Sequence, residues 1–359
     1  DSAHIIHMNL ESLRYRELSD YLALYDYVKK LIPQDGRTYL IFDELQVIPH
    51  WEKAIESFRI DFDVDIYITG SNAYLLSYEF STLLSGRYVE IRMLPLSYKE
   101  FLTFYEFDNI ISADEKFQTY LKFGGMPVLR EYKFNEVRIN QALEGIYSTV
   151  ILRDILQRTN QADQHTLQKI ILFLCSNIGS ITSANSIGNV LSNEGDISDR
   201  KGKKIAGRTV EKYISLLHSA FIFYPVRRYD VKGKQPLKTL EKNYIIDMGF
   251  RNLLLGYRDA DRRHILENIV FLELLHRDYS VYIGKVNDYE VDFIAEKPSD
   301  KIYIQVTESM QSPETREREL RPLRLINDNY EKLVLSMDRN FINSYDGIKS
   351  LNLIDWLLM

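Results

Sequence analysis

Thr38-Tyr39-Leu40-Ile41-Phe42-Asp43-Glu44 is a short, continuous apolar run that ends directly on two carboxylates. Its length, its β-branched and aromatic content, and the turn Pro33-Gln34-Asp35-Gly36 ahead of it predict a buried strand of a parallel sheet. Upstream, Ile5-Ile6-His7-Met8-Asn9-Leu10 predicts a second short strand. Apolar residues at helical spacing between Leu10 and Ile32 (Leu18, Leu22, Tyr25, Val28) predict a helix joining the two. Downstream, Trp51, Ile55 and Phe58 share one helix face, and strands are predicted at Asp65–Gly70 and at Tyr88-Val89-Glu90-Ile91-Arg92. Strands alternating with helices are the pattern of a doubly wound α/β domain, which binds ligands at the carboxyl ends of its strands. Asp43 and Glu44 stand at such an end.

Two adjacent acids there suit nucleotide hydrolysis. The first orients a Mg2+ water shell and the second polarises the attacking water. A strand that simply ends in an acidic turn reads the same way, so the neighbouring segments decide. At the next strand edge, Thr69-Gly70-Ser71-Asn72 sets small polar side chains where Asn72 could sense a γ-phosphate, or could merely cap a turn. Ser85-Gly86-Arg87 then offers Arg87 as a loop cation for developing phosphoryl charge, or as an ordinary surface arginine.

In order, Leu40-Ile41-Phe42-Asp43-Glu44-Leu45-Gln46, Trp51-Glu52, Thr69-Gly70-Ser71-Asn72, Leu84-Ser85-Gly86-Arg87 and Leu94-Pro95-Leu96-Ser97-Tyr98-Lys99-Glu100-Phe101 form a specific series. It continues through Phe123-Gly124-Gly125-Met126-Pro127, Leu152-Arg153-Asp154-Ile155 and Glu290-Val291-Asp292-Phe293, and so covers nearly the whole chain. The series resembles a bacterial and archaeal AAA-type ATPase family whose members join the ATPase core to a C-terminal domain of uncharacterised function. The resemblance implies that Asp43 is the Walker B Mg2+ acid and Glu44 the catalytic base. It implies that Asn72 is a sensor, Arg87 a finger or sensor arginine, and ATP with Mg2+ the cofactors. The family's phosphate loop, Gly-x-x-x-x-Gly-Lys-Ser/Thr, matches nothing before Asp43. The near-match Gly202-Lys203-Lys204-Ile205-Ala206-Gly207-Arg208-Thr209 follows a polar stretch rather than a buried strand, so nothing would aim its amides at phosphate. The first residue is not Met; roughly 40 upstream residues, the size of a strand-loop-helix unit, are expected to carry the loop.

The expected fold class is α/β: a truncated P-loop NTPase (AAA-type) core over 1–100, a helical lid or linker over 101–165, a winged helix-turn-helix over 166–247, and a PD-(D/E)xK-like α/β domain over 248–359. The winged-helix expectation rests on two short amphipathic helices, Ser183–Leu191 and Thr209–Leu217, followed by strands at Phe221–Val226 and Asn243–Asp247. Lys201, Lys203, Lys204 and Arg208 gather charge that suits phosphates of double-stranded DNA; the alternative is a solvated loop on a protein-interaction module. The last section resembles the nuclease fold that holds Mg2+ with a helix acid, a strand Asp and a Glu-x-Lys. Glu267, Asp292 and Gln305 fall in those places. Gln305 is neutral where a carboxylate is usual and Thr307 replaces the Lys, so cleavage is not expected and the site reads as degenerate.

Bulk properties bound these readings. The 359 residues are 45% hydrophobic and 27% charged, ordinary for globular protein of two to three domains. The formal charge of −6 gives no global attraction to nucleic acid or anionic membrane, so any DNA contact must be local. No apolar stretch is long enough to span a bilayer, and no signal peptide is visible. A single cysteine, Cys175, fits a buried side chain in a reducing compartment, so a cytoplasmic location is expected. Two functions stay open: an ATP-dependent AAA-type switch, acting on DNA, on a protein partner or as a homo-oligomer, and a non-catalytic DNA- or protein-binding factor with a vestigial ATPase core.

Overall fold

The structure, a computed structural model, describes residues 4–70, 87–108, 110–149, 154–157, 163–193, 205–233, 235–258, 261–339 and 344–359. Two compact units result, Asp1–Arg92 and Met93–Met359.

In the first unit β1 (His4–Asn9), β2 (Thr38–Asp43) and β3 (Val64–Ile68) form a parallel sheet in that order. Between β1 and β2 the expected long helix is shorter. A single 3-10 turn spans Leu13–Tyr15, and α1 runs only over Tyr21–Lys29. Asp20 is the reason for the late start: its Oδ1 accepts from the amides of Leu22 and Ala23, capping α1 at its first turn. Asp20→Ala should cost about 1 kcal/mol, readable as a shift in the urea midpoint with the slope unchanged. α2 (Trp51–Asp61) follows β2. Along β2 the side chains alternate, with Thr38, Leu40 and Phe42 buried and Tyr39, Ile41 and Asp43 partly exposed. The buried face packs on Leu24 and Val28 of α1 and on Ala54, Ile55 and Phe58 of α2; the Phe42 and Phe58 rings lie 6.0 Å apart. Helices of the described residues thus cover one face of β2, where a doubly wound sheet would bury both.

The strand expected at Tyr88–Arg92 does not form. Val89 is 87% exposed and Ile91 74%. Its apolar residues recur with strand periodicity, but a strand exists only as part of a hydrogen-bonded ladder. None of the described strands pairs with these residues.

In the second unit, helices α3 (Tyr98–Phe104), α4 (Ala113–Phe123) and α5 (Glu136–Ile146) pack in one large hydrophobic core that extends to Trp356 and Leu357, while Tyr303, Leu320, Leu323 and Val334 belong to a second, smaller core. Then come α6 (Gln164–Ser176), β4 (Ile181–Thr182), α7 (Ala184–Asn193), α8 (Gly207–Ser219), β5 (Phe223–Asp230) and β6 (Gln235–Ile245). Next are α9 (Met248–Leu255), α10 (Arg262–His276), β7 (Ser280–Val286), β8 (Tyr289–Lys297), β9 (Asp300–Val306), α11 (Pro313–Arg324) and β10 (Glu331–Ser336). The short β11 (Ser344–Tyr345), β12 (Ile348–Asn352) and α12 (Leu353–Leu358) close the chain. Nine strands form one sheet, ordered β11-β12-β10-β9-β8-β7-β5-β6-β4. The β5–β6 hairpin is therefore no free appendage. Arg228, Tyr229 and Asp230 of β5 pair in parallel with Ile283, Gly284 and Lys285 of β7, so the sheet runs unbroken across residues 247 and 248.

The Phe123-Gly124-Gly125 turn is a tight junction of this unit. Gly124 has φ +78°, and a Cβ there would lie 2.1 Å from Asp247 Oδ1. A Cβ on Gly125 would lie 2.3 Å from the Leu96 carbonyl oxygen. The Gly125 amide donates to Asp247 Oδ2 at 2.7 Å, and the Gly249 amide to Asp247 Oδ1 at 2.7 Å. Asp247 thereby joins the helical segment to the start of α9. Burial pushes its carboxyl up to about 6, against those two amides.

Candidate functional site

Asp43 ends β2 beside Asn9, its register partner on β1. Both of its oxygens are engaged. His7 Nε2 lies 2.6 Å from Oδ2, and the Thr69 hydroxyl donates to Oδ1 at 2.8 Å. These hydrogen bonds, His7's first and Thr69's second, hold the Asp43 carboxyl below its ordinary range, so it is an anion at neutral pH. The parallel register makes this convergence. Three strands ending level bring His7, Asp43 and Thr69 to one edge, although 62 residues separate the first from the last in sequence.

Glu44 turns the chain out of the strand. Its φ of +56° and ψ of +41° are left-handed, a conformation that costs a non-glycine residue of order 1 kcal/mol and that clusters at functional sites. The Gln46 Nε2 donates to Glu44 Oε2, while the buried Gln46 Oε1 has no hydrogen-bond partner among the described residues. Asn72 lies outside the described residues. Arg87 is exposed in irregular chain, and the described partners of Asp43 are His7 and Thr69 rather than Arg87. Sequence reading had no signal for His7, because its role depends on strand register.

In the second unit, Glu267, Asp292 and Gln305 do converge, each less than 5% exposed. The Asp292 amide donates to Gln305 Oε1 at 2.6 Å, and the Val306 amide to Asp292 Oδ2 at 2.8 Å. Gln305 Nε2 donates to Glu319 Oε2 at 3.1 Å. Two cations unseen in the sequence reading enter the group. Lys242 Nζ, from β6, lies 3.6 Å from Glu267 and 2.7 Å from Glu290. Arg263 reaches Glu267 at 3.4 Å and Asp292 at 3.9 Å. Burial, followed by the charge of Glu267, pushes the Asp292 carboxyl up to about 8. Although burial opposes its charge, Glu267, Asp292 and Glu290 hold Lys242 protonated above the ordinary lysine range. Asp292 thus holds its proton at neutral pH and Lys242 and Arg263 stand against Glu267, and no cluster of three or more metal-ligating groups is found among the described residues.

Of the basic residues, Lys201, Lys203 and Lys204 lie outside the described residues, and so does the start of the phosphate-loop near-match, residues 202–204. Arg208 sits exposed in the first turn of α8. No helix of the described residues is long and apolar enough to cross a membrane.

Residues 1–102 match the model of an AAA domain, and residues 114–261 match a domain of unknown function (DUF8612). An uncharacterized protein of Haemophilus influenzae is 38% identical over 361 residues, spanning 99% of this chain and 87% of that protein. An uncharacterized protein of Methanocaldococcus jannaschii is 29% identical over 325 residues, 84% of this chain and 69% of that protein. The chain belongs to this family of AAA-domain proteins. A crystal structure of a Vibrio cholerae protein aligns with 90% of this chain and 88% of its own at 14% identity, with a TM-score of only 0.21.

Proposed function

We propose that the protein is an ATP-binding AAA-type ATPase in which Asp43 holds Mg2+ and Glu44 acts as the base on the attacking water. The observation that carries this reading is the acid pair at the carboxyl edge of the central strand, with Asp43 kept ionised by His7 and Thr69. A hard cation such as Mg2+ keeps most of its water shell and binds through one or two carboxylates. Asp43, partly exposed and anionic, suits that, and the bound ion would neutralise phosphate charge. His7 stands where it would yield one Asp43 oxygen to the hydrated ion. Thr69 would keep the other oxygen oriented. Asn72 and Arg87 are proposed to sense and stabilise the γ-phosphate.

This chemistry also requires a phosphate-binding loop, and no stretch of this chain supplies one. The test therefore uses the protein expressed from its complete reading frame. Glu44→Gln should bind ATP as tightly as wild type and lose about 100-fold or more in kcat, the usual worth of a general base. If wild type neither binds nor turns over ATP in the presence of Mg2+, the acid pair is a relic.

A second reading is favoured by one observation. Helix α6, short strand β4, helices α7 and α8 and the β5–β6 hairpin follow the order of a winged helix-turn-helix, with β4 paired on β6. Arg208 and Lys212 are exposed on α8 and suit phosphate contacts to double-stranded DNA. On this reading the family's C-terminal unit is the effector, acting on DNA, on a protein partner or in a homo-oligomer. The group around Glu267, Asp292 and Gln305 is then a nuclease-like scaffold without cleavage activity, its charge neutralised by Lys242 and Arg263.

A further inference from the structure

Gln46 holds an unexplained atom. Its Nε2 is committed to Glu44 Oε2, but its Oε1 is buried and makes no hydrogen bond among the described residues. A buried amide oxygen without a partner costs about 1–3 kcal/mol, and such orphans in native proteins call for a cause. The other neighbours do not supply one. Leu45 before it and Ile48 two residues on belong to the apolar core of the first unit, which gives a polar side chain at this place no partner. The backbone pays a second cost at the same place, the left-handed Glu44. Two adjacent costs in one turn, beside the acid pair, are the pattern of a preorganised reaction site.

We propose that Gln46 is the positioning residue for the water that attacks the γ-phosphate. The role rests on the ATPase reading above and adds to it. The amide is rigid and its nitrogen is bonded to Glu44, which keeps its oxygen in the neighbourhood of the Glu44 carboxylate. A water admitted beside Gln46 Oε1, an atom closed to solvent as the turn stands, would donate one proton toward Glu44 and the other to that oxygen. Both hydrogens are then occupied, and an oxygen lone pair is left to face phosphorus. As that oxygen bonds to the γ-phosphorus, the bond to the β–γ bridging oxygen breaks and its electron pair leaves with ADP. The proton given up by the water passes to the Glu44 carboxylate, while Gln46 neither gains nor loses one. The Nε2 bond meanwhile keeps Glu44 from rotating out of line. A glutamine is suited to both tasks because it carries donor and acceptor on one rigid plane.

The experiment compares Gln46→Leu, Gln46→Glu and wild type, all from the complete reading frame, with three readouts: Kd for Mg-ATP from fluorescent-nucleotide displacement, kcat, and Tm. Leucine fills similar volume and removes the buried orphan, so Tm should hold or rise. We expect Kd within about 2-fold of wild type and kcat lower by roughly 10- to 100-fold, the range of a misplaced general-base system. Gln46→Glu retains an acceptor but sets a carboxylate against Glu44, and should not restore kcat. Unchanged kcat in Gln46→Leu overturns the role of Gln46 and leaves the ATPase reading intact. A fall in Tm together with weaker Kd overturns it also, in favour of a structural part. Absence of turnover and binding in wild type overturns both readings at once.

Discussion

Gly125→Ala should destabilise the second unit by at least 3 kcal/mol, on the order expected where a methyl group is forced against fixed backbone in a packed core. The added Cβ meets the Leu96 carbonyl oxygen at 2.3 Å and the Leu96 amide at 3.1 Å. Neither can step aside, because the Leu96 amide itself donates to the Gly125 carbonyl at 2.9 Å. Moving the turn would also break the Gly125 amide's bond to Asp247, leaving a carboxylate that is 2% exposed with one fewer donor. Guanidinium melts of wild type and Gly125→Ala measure the loss. Gly145→Ala serves as the control, since a Cβ at Gly145 meets nothing within 4 Å; an alanine there should be neutral or stabilising by up to about 1 kcal/mol, given helix propensity. A loss under 1 kcal/mol at Gly125 would mean that the turn is not the rigid junction described.

The glycine pair illustrates what the sequence makes legible. Phe123-Gly124-Gly125-Met126-Pro127 announces a break in a helical stretch, and the chain does break there. It does not announce Asp247, 122 residues away, which gives the break its purpose. The same division holds at the acid pair. Asp43 and Glu44 are visible because a local pattern, an apolar run ending on acids, carries their meaning. His7 and Thr69 reach Asp43 through register, which depends on how three strands line up. Likewise the resemblance to a nuclease fold places Glu267, Asp292 and Gln305 on a helix and two strands, whereas Lys242 arrives from a hairpin that the sequence pattern assigns to another domain. Tyr88–Arg92 fails in the opposite sense. Its alternation is present, but periodicity cannot say whether an edge exists to pair with.

Lys242→Met should cost about 3–5 kcal/mol at mildly alkaline pH, the usual penalty for removing one partner of a buried ion pair. Methionine keeps most of the stem's volume, so the loss is electrostatic rather than a cavity. Glu267, 2% exposed, would keep only Arg263 as a counter-charge at 3.4 Å, and Glu290 would lose its 2.7 Å partner. The pH dependence separates this cause from packing. The folded-state pKa of Asp292, about 8, lies above its unfolded value near 4. Between those values the folded protein holds a proton that the unfolded chain has released, so stability is greatest below the window and is lost as pH rises through it. Removing the Lys242 cation raises the cost of every carboxylate charge in the group. The penalty should therefore be largest near about pH 8 and shrink toward about pH 5.5, where the carboxyls can take up protons. Lys242→Arg should recover part of the loss at the higher pH, since it restores the charge but not the geometry. Urea titrations at the two pH values decide the matter. A penalty that is equal at both would make Lys242 a packing residue, and the fused hairpin would then be held by the β5–β7 ladder and the shared core alone.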